Sequence, residues 1–159
     1  PKALARIEPA QRPQVVHQCG KQHLLMAREA YEQAGVRAEV EAFIADMAGA
    51  YAWADLVICR AGALTVCELA AAGRPSLLIP LPHAIDDHQT ANARYLADRG
   101  AAVLMPQAQL DDEQLANTLI NYMNNPELLQ QMAERAREQA TPNATADVVR
   151  ACLEVAREH

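Results

Sequence analysis

The residues best suited to chemistry in this chain follow a short apolar run, Leu56–Cys59. Four consecutive apolar residues predict a strand covered on both faces. Gly62 follows, where the backbone can turn and approach a ligand closely, and a helix is predicted to open directly after it. The first N–H groups of a helix lack intrahelical partners and lie at the positive end of its dipole, so they favour an anion such as phosphate. Here those groups belong to Ala63, Leu64 and Thr65.

Glu68 lies one helical turn beyond these amides. A carboxylate is an acceptor and can take hydrogen bonds from both hydroxyls of a ribose. A diphosphate on the turn and a ribose on Glu68 would together form a site for a nucleoside diphosphate. The alternative is an ordinary strand–turn–helix of an α/β protein, because one glycine turn is a weak motif.

A second candidate site is the segment Pro80–Asn92, in which a proline-rich loop leads into a predicted helix. Gln89 and Asn92 are three residues apart and share a helix face. Their amides both donate and accept hydrogen bonds, which suits sugar hydroxyls. The alternative is that Asp86 or Asp87 caps the helix while His88 and Gln89 are merely solvated.

Metal binding by His83, Asp86 and His88 is a further alternative for this segment. Their spacing matches neither a two-metal site nor the HExxH pattern, and apart from His83 they crowd into adjacent positions. We therefore expect no metal here.

Two other positions follow predicted strands. At Ile44, the backbone amide and carbonyl of a strand end can pair with the edge of a planar base, or simply be a buried strand end. Arg60 follows the apolar run and can pair either with a phosphate or with a nearby carboxylate.

Composition limits the class of protein. The 159 residues suffice for one domain with a sizeable core, and the apolar fraction of 51% is that of a globular chain. A net charge of −6 argues against nucleic acid. No apolar run approaches the roughly 20 residues that span a bilayer, and no secretory signal pattern is seen. The four cysteines show no CxxC spacing, and two sit inside apolar segments, as expected of buried, reduced thiols in a cytosolic protein.

Strand-like and helix-like segments alternate along the chain, which predicts an α/β fold with a doubly wound parallel sheet and helices on both faces. Ligands of such sheets bind beyond the carboxyl ends of the strands. The predicted strands are Gln14–Cys19, Arg37–Ile44, Leu56–Cys59, Ser76–Ile79 and Ala101–Met105. Three helices are predicted from residues that can cap them: one capped by Asp46 and running through Trp53, one capped by Asp86 or Asp87 and reaching residue 98, and one that begins at Asp111 or Asp112 and reaches residue 123. The other predicted helices are Gln22–Ala34, Leu64–Ala72, 126–139 and a final helix within 140–158.

The first residues, Pro1–Ile7, look like the tail of a helix, and no strand precedes them. Because a parallel sheet usually opens with a strand, we expect residues 1–159 to be a partial domain, excised from a longer protein.

Three segments carry a resemblance to a known family: Phe43–Asp55, Cys59–Pro75 and Pro80–Ala93. In this order and spacing they resemble the MurG family, the peptidoglycan glycosyltransferases that convert lipid I to lipid II. The resemblance covers the C-terminal half of that family's proteins. It implies a GT-B fold, no cofactor and no metal, and an inverting transfer of N-acetylglucosamine from UDP-N-acetylglucosamine. It also implies a peripheral location on the cytoplasmic face of the bacterial inner membrane.

The resemblance also implies roles for individual residues. The backbone of Ile44 would meet the uracil, and Glu68 would hold the ribose hydroxyls. Gln89 would bind the N-acetylglucosamine hydroxyls, with His88 and Asn92 nearby. Arg60 would position the loop or the diphosphate. The diphosphate would be lined by Ala63, Leu64 and Thr65, with Val66 and Cys67 in the same turn.

Two departures from the family pattern matter. The glycine-rich phosphate loop expected before the first helix is missing, and so is the N-terminal domain with the catalytic base, the lipid I contacts and the membrane-binding patch. The chain by itself would then be inactive. Two other functions stay open: a GT-B transferase acting on glycolipids or natural products, and a nucleotide-sugar-binding subunit that works with a separate membrane-anchored partner.

Overall fold

Short parallel strands alternate with helices in the computed structural model, which describes residues 1–82 and 87–157. Most strands and helices lie within about two residues of their predicted bounds, since apolar runs, caps and glycine stops are local signals. The exception among the strands is β2, which ends at Glu41, three residues before the predicted Ile44. The strands are β1 (Val16–Gln18), β2 (Glu39–Glu41), β3 (Val57–Cys59), β4 (Ser76–Leu78) and β5 (Ala102–Leu104). The helices are α1 (Lys2–Ala5), α2 (Leu24–Gln33), α3 (Met47–Trp53), α4 (Ala63–Ala72), α5 (His88–Ala97), α6 (Asp112–Asn124), α7 (Pro126–Glu138) and α8 (Ala144–Arg157).

The strands form two parallel sheets rather than the single sheet expected from the sequence. β1 pairs with β2, with Val16 opposite Glu39, and the second sheet has the order β3-β4-β5. Within the described ranges no hydrogen-bonded ladder joins β1 to β3, so each presents an edge. Both sheets nevertheless contribute to one core cluster, which contains Val40 of β2 and Leu77 of β4.

The expectation that Leu56–Cys59 is covered on both faces is wrong for Ile58, whose side chain is 43% exposed. Its register partner on the same face, Leu77, is fully buried. The difference arises because β3 is an outer strand of its sheet whereas β4 is central. Successive side chains of a strand point to opposite faces, so only alternate residues of β3 face the helices that cover it.

Helix caps were predicted well, with one exception. The carboxylate of Asp46 accepts the N–H of Gly49 at 2.8 Å, and that of Asp111 accepts the N–H of Gln114 at 2.7 Å. Asp87 precedes α5, but its carboxylate accepts the Thr90 hydroxyl at 2.6 Å and no backbone N–H. Its left-handed backbone (φ 50°) departs from the extended conformation of an N-cap residue, which explains the failed prediction. Asp86, the other predicted cap, lies outside the described residues.

The last helix, α8, has no buried residue, and its apolar side chains Val148, Val149, Leu153 and Val155 are exposed. Among the helices that the structure describes, none is long and apolar enough to cross a membrane.

Candidate functional site

The loops at the carboxyl ends of β3, β4 and β5 are tied together by Arg60. Its guanidinium donates to the carbonyl oxygens of Ile79 (3.2 Å) and Pro80 (3.1 Å) and to Oε1 of Gln107 (2.7 Å). The sequence left a phosphate or a carboxylate as the partner of Arg60. Its described partners are instead two carbonyls and one amide oxygen, so Arg60 positions the loops that follow three strands.

Helix α4 begins at this edge, after the short loop that follows β3. Gly62 is its N-cap, and the N–H of Val66 closes the first turn on the Gly62 carbonyl at 3.0 Å. The N–H groups of Ala63, Leu64 and Thr65 therefore lack an intrahelical acceptor, as predicted. The backbone N–H of Val66 is already hydrogen-bonded within the helix, and its side chain is only 4% exposed. Val66 is therefore a core residue rather than a donor to an anion.

Gly62 is not required by the backbone. Its φ of −65° and ψ of 146° are extended values that any residue adopts. A Cβ added there would meet Oγ1 of Thr65 at 3.6 Å, an ordinary contact. Glycine's conformational freedom is therefore not used at this turn, and the absence of a side chain leaves open space beside the first turn of α4.

Glu68 is exposed, and Oε2 of its carboxylate accepts a hydrogen bond of 2.9 Å from the hydroxyl of Tyr51 on α3. Burial and this bond raise the pKa of Tyr51 above its usual value, so the hydroxyl stays a donor. The two side chains line an open groove of about 460 Å³ between α3 and α4, to which Met47 also contributes. Cys67, beside Glu68 on α4, is exposed.

Helix α5 contacts the same loops through the two predicted amides. Nδ2 of Asn92 donates to the Ala61 carbonyl at 3.0 Å, and Oε1 of Gln89 accepts the N–H of Leu81 at 2.9 Å. The alternative that Gln89 is merely solvated is therefore wrong. His88 is the exposed first residue of α5.

The backbone amide of Ile44 already has a partner, because it donates to Oε1 of Gln18 at 2.8 Å. Gln18 ends β1 beside the loop that follows β2. The edge of an incoming base would have to displace the Gln18 side chain from this amide, or accept a hydrogen bond from the side-chain NH₂ of Gln18.

The metal alternative rested on His83, Asp86 and His88, and the first two lie outside the described residues. In the ranges 1–82 and 87–157, no three His, Cys, Asp or Glu side chains are grouped closely enough to hold a metal ion.

All four cysteines are free thiols. Cys19 and Cys59 are partly buried, and burial raises the pKa of Cys59 to about 11. Cys67 and Cys152 are exposed, so an apolar sequence context did not by itself predict burial.

Sequence reasoning missed Gln18, Tyr51 and Gln107 as members of this edge. Gln18 ends a strand and Gln107 follows one, so their position was a usable signal. Tyr51 lies in the middle of a helix that precedes β3, and only the packing of α3 on α4 brings it to Glu68.

Comparisons with known proteins agree with this architecture. Residues 1–148 match the family described as the glycosyltransferase family 28 C-terminal domain. The chain is 63% identical over 156 residues to the UDP-N-acetylglucosamine–N-acetylmuramyl-(pentapeptide) pyrophosphoryl-undecaprenol N-acetylglucosamine transferase of Stutzerimonas stutzeri. That match covers 98% of this chain but only 44% of the relative.

Solved structures give the same result. The crystal structure of Acinetobacter baumannii MurG superposes with a TM-score of 0.87 at 46% identity, over 96% of this chain and 46% of that one. The glycotransferase of kitacinnamycin superposes at 0.65 with 19% identity, covering 94% of this chain and 37% of that one, which shows the shared fold alone. The resemblance to the MurG family is thus confirmed, and this chain belongs to the family of glycosyltransferase family 28 C-terminal domains.

Proposed function

We propose that this chain is the donor-binding part of a glycosyltransferase that transfers N-acetylglucosamine from UDP-N-acetylglucosamine to the C4 hydroxyl of the muramyl sugar of lipid I, forming lipid II. The observation that carries the proposal is the convergence, at one sheet edge, of Glu68, the amides of α5 and the N–H groups of α4 that have no acceptor within the helix. The printed activity of the 63%-identical relative supports the same substrates.

The chemistry of this site follows from its charges. As the sugar leaves, negative charge grows on the departing UDP. The amides of Ala63, Leu64 and Thr65, at the positive end of the α4 dipole, would stabilise that charge without a divalent cation. The Glu68 carboxylate would hold the ribose, and Gln89 and Asn92 would face the sugar.

Arg60 would contribute indirectly. Arg60 binds the loops that follow β4 and β5. It thereby holds the backbone of Leu81, whose N–H binds Gln89, in place relative to α4. The acceptor, the catalytic base and attachment to the cytoplasmic face of the inner membrane belong, in this proposal, to a further domain.

Calorimetric titration of the chain with UDP and with UDP-N-acetylglucosamine tests the binding site. We expect both ligands to bind, and Glu68→Ala to weaken UDP binding by about 1.5–3 kcal/mol, the range for hydrogen bonds to a charged group. The matched control is Glu32→Ala on α2, which is exposed and remote from this edge. Equal affinity of the Glu68 variant and the parent chain for UDP would remove Glu68 from the site.

A hybrid enzyme tests the reaction. The matching 156 residues of the Stutzerimonas stutzeri relative would be replaced by this chain, and transfer to lipid I measured with and without EDTA. We expect activity that survives EDTA. A folded hybrid that binds UDP-N-acetylglucosamine but transfers nothing to lipid I would contradict the proposed acceptor, and activity lost in EDTA would contradict the metal-free mechanism.

A further inference from the structure

Tyr51 contacts a proposed ligand-binding residue but has no part in the binding contacts proposed above. It lies on α3, seventeen residues before Glu68, and its hydroxyl donates to Glu68 Oε2 at 2.9 Å. Its ring is partly buried between α3 and α4, whereas the carboxylate it contacts is exposed.

An exposed glutamate on a helix surface samples many rotamers, and binding a ligand through it requires that freedom to be lost. A hydrogen bond from a partly buried aromatic residue restricts the carboxylate before any ligand arrives, which is the usual benefit of preorganisation. A carboxylate has two oxygens and about four acceptor positions, so one bond from Tyr51 leaves Oε1 and part of Oε2 for further donors.

The surroundings of Tyr51 favour this role over a direct one. Met47 and Ala48, one turn earlier on α3, line the same groove as Tyr51 and Glu68, and Arg74 is the groove's other charged residue. The Glu68 carboxylate is the acceptor of the tyrosine hydroxyl. Burial and the bond to Glu68 also keep the hydroxyl protonated, since both raise the pKa of Tyr51.

We infer that Tyr51 is a positioning residue, which orients the Glu68 carboxylate for the two hydroxyls of a nucleotide ribose. The inference rests on the proposed function, because it assumes that Glu68 is the ribose ligand. It adds a residue from α3 to a site otherwise built from α4, α5 and the loops that precede them.

The test compares two ligands that differ only in the ribose hydroxyls. Titrations with UDP and with 2′,3′-dideoxy-UDP are run on the parent chain, on Tyr51→Phe and on Tyr122→Phe. The last variant removes a hydroxyl from a buried ring on α6 and serves as the matched control. For Tyr51→Phe we expect UDP to bind about 3- to 10-fold more weakly, the size of one net hydrogen bond, and dideoxy-UDP to bind unchanged.

A purely structural role for Tyr51 would weaken both ligands equally, and that result overturns the inference, as does unchanged UDP binding. A double variant, Tyr51→Phe with Glu68→Ala, gives an independent check: once Glu68 is absent, losing the tyrosine hydroxyl should have no further effect on UDP. Additive losses would overturn the inference. If the parent chain itself fails to bind UDP, the proposed function fails first, so the two failures are distinguishable.

Discussion

Single side chains at this edge mostly hold the loops of the protein itself. Asn92, Gln89 and Arg60 each bind a backbone carbonyl or amide of a neighbouring loop. If the proposed function holds, these side chains serve two purposes, because the same amides that would bind a sugar also fix the backbone around it. A substitution at such a residue will change both the loop contacts and the proposed sugar contact. Comparing ligands with and without the sugar is needed to separate the two effects.

Gln89→Ala provides such a separation. The variant loses the amide that would contact the sugar and also the acceptor for Leu81 N–H. We expect the affinity for UDP-N-acetylglucosamine to fall more than that for UDP, because UDP lacks the sugar. Calorimetry with both ligands measures the difference, with Gln130→Ala on α7 as a remote control. Equal losses for the two ligands would leave Gln89 with a loop-holding role only.

At the scale of elements, α4 and α3 decide the site. Helix α4 supplies Glu68 and the backbone amides that have no acceptor within the helix, while α3 packs against α4 and supplies Tyr51. The N-cap residues of both helices, Gly62 and Asp46, are recognisable in the sequence. Gly62 leaves open space beside the first turn of α4, whereas the carboxylate of Asp46 caps α3 by accepting a backbone N–H.

Gly62→Ala and Gly73→Ala form a matched pair at the two ends of α4. Gly62 has an extended backbone with room for a Cβ, so alanine there should keep or slightly raise the free energy of unfolding, by up to about 1 kcal/mol. Gly73 has φ of +60°, and an added Cβ would meet Nε of Arg137 at 2.8 Å, so alanine there should destabilise the chain. Chemical denaturation measures both.

The Gly62→Ala variant also tests whether a ligand approaches the first turn of α4 closely. Because a Cβ at Gly62 would occupy the space beside the first turn of α4, we expect Gly62→Ala to weaken UDP binding although the chain is no less stable. Full affinity for UDP in this variant would mean that the diphosphate does not approach Gly62.

The two carboxylate caps provide the second pair. Asp46→Ala and Asp111→Ala each remove a bond to a first-turn N–H, of α3 and α6 respectively, and each should cost about 1 kcal/mol of stability. Only Asp46 caps the helix that carries Tyr51, so only Asp46→Ala should also weaken UDP binding. Denaturation and calorimetry on both variants check this, and a similar loss of UDP affinity in the Asp111 variant would show a general loosening instead.

At the scale of the whole molecule, two small sheets share one core. His17 of β1 lies in this region, with its ring 5.7 Å from that of Tyr31 in an edge contact. Its Nδ1 is buried without a hydrogen-bond partner in the described structure. Burial lowers the pKa of His17 below its usual value of 6.5, because it disfavours the charged imidazolium.

A stability that depends on pH follows from the sign of that shift. The folded state prefers neutral His17, so its contribution is present above pH 6.5 and is lost as the pH falls through the lowered folded value. Thermal melts from pH 8 to pH 5 should show a decline that is smaller in His17→Gln. His23→Gln on the surface is the control. Identical pH profiles for the parent chain and His17→Gln would contradict this role.

The sequence alone determined the order and bounds of the strands and helices, the start of α4 after an apolar strand, and the caps at Asp46 and Asp111. These features follow from rules that act within a helical turn or along one strand. The tertiary structure decided which distant side chains meet: Tyr51 with Glu68, Arg60 with Gln107, Ile44 with Gln18. It also decided that Ile58 is exposed and that the strands divide into two sheets. Those outcomes depend on which edges and faces find a partner when the elements pack, and no local pattern encodes that choice.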